Sequence, residues 1–210
     1  MKERIGMLGG TFDPPHVGHA IVAHELLERL PLDRLLVVPA GHPPHRTARF
    51  PAQLRYELVR TLFEESPGIE VSDLELRRRG PSYTVDTLAR IRTEHRPERL
   101  YCIVGDDQYR LLHTWHEPAR LTELARLVVV TRGAAGRDDE PSTSRPGGEP
   151  DEGRARVPHT RVCVTRVDVS STQIRERLRQ GRSVRFLIPD RIRPRVERAW
   201  AELSAGPSSP

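Results

Sequence analysis

Lysine is nearly missing from this chain: Lys2 is the only one, and arginine supplies the remaining basic side chains. The arginines are scattered along predicted helices and strand ends, with no basic run interleaved with aromatics. A net charge of +5 and a pI near 9.8 therefore do not point to a nucleic-acid surface, although they favour anionic ligands. Cysteine is scarce as well. Cys102 and Cys163 lie in separate apolar runs, which fits core thiols better than a disulfide or a metal site. No apolar run approaches the roughly 20 residues of a membrane span. The first ten residues lead straight into a predicted strand, leaving no room for a signal peptide, so a cytoplasmic protein is expected.

What is present is alternation. Strand-like runs at 4–8, 34–38, 69–77, 100–104, 127–131 and 161–169 are separated by helical patterns over 17–30, 53–64, 84–95, 107–113 and 118–124. A further helix follows Ser170 or Ser171, and Pro189 suits the first turn of a last one that Pro194 would kink or shorten. This predicts an α/β fold, a Rossmann-like doubly wound parallel sheet with helices on both faces, in a single domain spanning 1–203. Residues 133–158 carry glycine, proline, serine and charge, so a mobile loop is expected there. A tail is expected over 204–210, and a homo-oligomer is left open.

The chain is organised around Gly9-Gly10-Thr11-Phe12-Asp13-Pro14-Pro15-His16-Val17-Gly18-His19. It follows the first strand and enters a helix whose apolar spacing is Val17, Ala20, Ile21, His24, Leu27. Adjacent glycines allow close backbone approach, and a helix start offers N–H groups and partial positive charge to a phosphate. His16 and His19 share one face of the first turn, where imidazoles can stabilise charge growing on an attacked phosphorus. A glycine pair at such a turn also occurs without a ligand, and two histidines three apart can bind metal or simply lie on the surface. No carboxylate or third histidine stands at ligand spacing, so no metal site is expected. The glycine spacing is not that of a dinucleotide-binding dehydrogenase, and the second strand ends Val37-Val38-Pro39-Ala40 without its acidic residue.

The other unusual segments also follow strand ends, where ligands of doubly wound sheets bind. Pro43-Pro44 stiffens a loop presenting His45 and Arg46, Gly105-Asp106-Asp107 follows the fourth main strand, and Arg132 follows the fifth. Ser170-Ser171-Thr172-Gln173-Ile174-Arg175 opens a helix with hydroxyls and an arginine one turn in, a second anion site or merely a well-capped helix. Asp107 suits ribose hydroxyls or a helix cap. Trp115 suits a ligand ring or plain packing.

Taken together, Gly9 to His19 and Ser170 to Arg175 resemble the two signatures of the bacterial nicotinate-nucleotide adenylyltransferases. Pro43 to Arg46, Ser82 to Leu88, and Gly105, Asp107 and Trp115 resemble motifs that the family carries between them. The resemblance covers about residues 4–190. It implies adenylyl transfer from ATP, with Mg2+, to nicotinate mononucleotide, giving deamido-NAD and pyrophosphate. By it, His16 and His19 are catalytic and bind the triphosphate. Gly9, Gly10, Thr11, Gly105, Asp107, Ser170, Ser171 and Arg175 complete the ATP site. Thr11, Phe12, His45, Arg46, Tyr83, Thr84, Trp115 and Arg132 would bind the mononucleotide. Arg46 stands where the family usually has lysine, and Pro15 where it often has an aliphatic residue. Three alternatives stay open: a sister enzyme using nicotinamide mononucleotide or phosphopantetheine, a non-catalytic nucleotide binder, and a nucleic-acid binder.

Overall fold

In the structure, a computed structural model describing residues 2–44, 47–133 and 157–205, six strands form one parallel sheet. They are β1 (Arg4–Gly10), β2 (Arg34–Pro39), β3 (Ile69–Val71), β4 (Arg99–Gly105), β5 (Arg126–Gly133) and β6 (His159–Thr165), in the order β3-β2-β1-β4-β5-β6. The chain winds outward from β1 to one edge, then returns beside β1 and winds to the other. The order thus reverses between β1 and β4, which pair directly from Arg4–Arg99 to Leu8–Ile103.

Helices cover both faces because the central strands are apolar on both sides. In β2 the odd residues Leu35 and Val37 enter one core and the even residues Leu36 and Val38 the other, all four fully buried. The first core is closed by α1 (Val17–Arg29), α2 (Ala52–Phe63), α6 (Ser171–Arg179) and α7 (Arg193–Ala205), through Leu26, Leu58, Ile174 and Val196. The second is closed by α3 (Thr84–His95) and α5 (Pro118–Leu124), through Leu88, Ile91 and Leu121. A short α4 (Asp106–Arg110) leaves β4 directly and is followed by a single 3₁₀ turn, Leu112–Thr114.

Several boundaries differ from those predicted. β3 ends at Val71 rather than Arg77, because the chain turns: Leu74 N–H donates to Ser72 Oγ and Arg77 N–H to the Asp73 carbonyl. β6 stops at Thr165, whose amide is taken by the Glu25 carboxylate of α1 at 3.0 Å. Pro189 opens only a turn, and α7 starts at Arg193. Pro194 sits in its first turn, where a missing N–H costs nothing and no kink arises. That helix reaches Ala205, two residues into the expected tail. The buried side of α1 is centred on Ala23 and Leu26, with His24 exposed, so the predicted stripe is rotated toward β6. Residues 134–156, most of the expected loop, lie outside the described residues. Among the described residues no helix is long and apolar enough to cross a membrane.

Candidate active site

The carboxyl ends of β1, β4 and β5 open into a cavity of about 340 Å³, within the usual range for small-molecule sites. Gly9, Gly10, Phe12, His19, Gly105, Asp107 and Arg132, all marked in the sequence, line it together with Gly18 and Asp106. The turn from β1 to α1 runs through Phe12 at φ +50°, a left-handed conformation that costs a non-glycine residue about 1–2 kcal/mol and therefore requires fixing from outside.

Asp13 does much of that fixing. Its carboxylate accepts the Phe50 amide at 2.8 Å and the Arg49 amide at 2.9 Å. Arg175 of α6 donates to the Asp13 carbonyl at 2.6 Å and faces its carboxylate at 3.4 Å. Beside it, Ser171 Oγ donates to the Pro14 carbonyl at 2.9 Å, while Ser170 caps α6 by accepting the Gln173 amide. The two signatures, about 160 residues apart in sequence, thus form one hydrogen-bonded unit.

The rings of His16 and His19 lie against each other with centroids 3.7 Å apart and planes tilted by 30°, and the Phe12 ring centroid lies 4.8 Å from that of His19. Gly18 between them leaves little room for a side chain, since a Cβ there would meet the His16 ring at 3.1 Å. The His16 backbone N–H donates to Nδ1 of His19 at 3.1 Å. A neutral His19 therefore carries its proton on Nε2. Burial lowers the His16 pKa to about 4, with the Arg132 guanidinium adding to the effect. Burial likewise drives His19 well below its ordinary value, followed by His16 and Arg132. Both imidazoles are neutral at pH 7, so they act as hydrogen-bond donors rather than cations. Nδ1 of His16 is buried without a hydrogen-bond partner. At the helix start, the Val17 amide is already committed to the Leu187 carbonyl, so not every first-turn donor of α1 is free for an anion.

Other predicted residues do not line this cavity. Tyr83 stacks on His116 at 4.3 Å, Thr84 begins α3, and Trp115 packs beside the second core. Thr11 points its carbonyl into the protein, toward Arg55. His45 and Arg46 lie outside the described residues. Asp13 and Arg55 were not singled out in the sequence. Asp13 sat unweighted inside the motif, and Arg55 lay at i−3 to Leu58 and i−7 to Leu62 on the apolar stripe of α2, where an arginine is out of place. Among the described residues no group of three histidine, cysteine or carboxylate side chains could hold a metal ion.

Residues 7–177 match the model of the family described as cytidylyltransferase-like. Two bacterial proteins with the name "Probable nicotinate-nucleotide adenylyltransferase" are each 43% identical to the chain. That of Thermus thermophilus aligns over 93% of this chain and 97% of its own length, and that of Chromohalobacter salexigens over 90% and 91%. The solved Plasmodium falciparum nicotinic acid mononucleotide adenylyltransferase complexed with NaAD shares the fold, with a TM-score of 0.70 and 95% of each chain covered at 16% identity.

Proposed function

The chain belongs to the nicotinate-nucleotide adenylyltransferases of the cytidylyltransferase-like family, and from that premise we infer how its cleft works. The enzyme transfers the adenylyl group of ATP to nicotinate mononucleotide. The 5′-phosphate of the mononucleotide attacks the α-phosphorus in line, the bond to the β-phosphate oxygen breaks, and pyrophosphate leaves with the bonding electrons. The attacking phosphate is already an anion, so no general base is needed, and catalysis consists of alignment and charge stabilisation.

The observation that best supports this reading is the joining of His16–His19 to Ser171–Arg175 through Asp13 and Pro14 at one end of the sheet. In it, His19 Nε2–H and the His16 ring donate to phosphate oxygens, and Arg175 lends charge from the opposite side while Asp13 holds it in place. Gly105 and Asp107 take the adenosine. Phe12, Tyr83, Thr84 and Trp115 frame the mononucleotide, with Arg132 at the rim. Among the described residues none form a cage for a resident metal. A divalent ion, which we take to be Mg2+, would enter as part of the ATP substrate.

Pyrophosphate release from ATP, measured in parallel with nicotinate mononucleotide, nicotinamide mononucleotide and phosphopantetheine, tests the assignment. Nicotinate mononucleotide is expected to be used best, with deamido-NAD as product. His19→Ala is expected to keep the fold and lose about 10²–10³ in turnover, the usual cost of one such donor. Preferred use of another acceptor would make this a sister enzyme. ATP binding without release on any acceptor would leave only a nucleotide-binding protein.

A further inference from the structure

Arg55 is the most deeply buried charged residue of the described chain, 1% exposed, and the reaction above assigns it nothing. Among the described residues its guanidinium makes no ion pair. Nη1 donates to the Thr11 and Ala40 carbonyls, both at 2.7 Å, Nη2 to the Gly41 carbonyl at 3.2 Å, and Nε to the Phe50 carbonyl at 3.0 Å. Asp13 and Glu75 balance its charge from farther off. Burying a charge is costly unless it is richly bonded, and a leucine or methionine would fill the same stripe position at no such cost. A rigid fork of donors fixed to three separate chain segments is suited to setting their mutual geometry.

The segments so fixed continue outward. A Cβ on Gly41 would meet the Glu75 carbonyl at 2.4 Å, so the turn after β2 lies directly against the chain after β3. The next residue bonds that chain twice: His42 N–H donates to Ser82 Oγ at 3.0 Å, and Ser82 N–H donates to the His42 carbonyl at 2.9 Å. Glu75 accepts the Thr87 hydroxyl of α3 at 2.7 Å. A continuous path therefore runs from Thr11 through Arg55, Gly41 and His42 to Ser82, immediately before Tyr83 and Thr84. No hydrogen bond from Arg55 reaches Gly9, Gly10, His19, Gly105 or Asp107.

We propose that Arg55 is a positioning residue for the acceptor mononucleotide, locking Thr11 and the Ser82–Thr84 segment into one arrangement, while its link to the ATP half is indirect, through Phe50 and Asp13 to Arg175. The proposal rests on the functional reading given above. Its test is steady-state kinetics of Arg55→Lys and Arg55→Gln, with each substrate varied in turn. Arg55→Lys is expected to raise KM for nicotinate mononucleotide about tenfold while KM for ATP moves less than about threefold, as a loss of ground-state alignment on one side requires. Arg55→Gln should be worse in the same sense, the lysine variant being a partial rescue. Ser82→Ala breaks a later link and should shift the same KM in the same direction by less. It decides the matter if the Arg55 variants do not fold. Equal weakening for both substrates, a fall in kcat alone, or an unchanged KM ratio in Arg55→Lys and Ser82→Ala would overturn the positioning role. A wild-type protein that adenylates no mononucleotide would overturn the functional reading and this proposal with it.

Discussion

At the scale of single residues, the histidines proposed to serve catalysis also bear on acid stability. The folded pKa of His16 is about 4 against an ordinary 6.5, so between those values the unfolded chain binds the proton and the fold does not. The contribution of His16 is therefore fully present above pH 6.5, is lost as pH falls from 6.5 toward 4, and amounts to about 3 kcal/mol. Glu75, whose buried carboxyl has a raised pKa, works in the opposite sense, favouring the fold at the acid end. Comparing variants isolates the histidine. Urea unfolding at pH 7.5 and 4.5 should show a smaller acid loss in His16→Gln than in the wild type, and equal losses would contradict the assignment. The sequence exposed these histidines through spacing alone. It did not expose Asp13 and Arg55 as the residues that hold the loop, because their partners are backbone carbonyls and amides whose positions no side-chain pattern records.

At the scale of elements, α6 has two tasks. Its N-cap, Ser170, accepts the Gln173 amide, and the helix so started carries Ser171 and Arg175 to Pro14 and Asp13. Ser170→Ala should lower unfolding free energy by about 1 kcal/mol in urea titrations. It should also raise KM for ATP, since Arg175 is then held by a fraying turn. An unchanged ATP response would mean that α6 only braces the loop. Misplaced boundaries have local causes too. β3 and β6 end where side chains, Ser72 and Glu25, capture amides that a ladder would otherwise use. Apolar periodicity cannot announce such captures. Helices α2, α3 and α5 were legible nearly to the residue, since their apolar stripes face one core each.

At the scale of the whole molecule, the doubly wound sheet followed from alternation, and motifs falling repeatedly after strands pointed to the end of the sheet where the candidate cavity lies. That Tyr83 and Trp115 pack against the second core while Phe12 and Val130 of the His19 cavity belong to the first was not legible, because both segments follow strand ends. The absence of a metal-holding cluster among the described residues separates two effects of chelation. EDTA should stop adenylyl transfer, with recovery on adding Mg2+, while leaving the thermal midpoint of the ligand-free protein unchanged. A large drop in that midpoint would indicate a resident ion. The uncharged imidazoles have a last consequence. On the reading proposed above, the exposed Arg132 acts across solvent and is dulled by salt, whereas the imidazoles grip through short-range donors that salt barely touches. Raising ionic strength would then slow the arrival of the polyanion far more than it loosens the hold of the imidazoles.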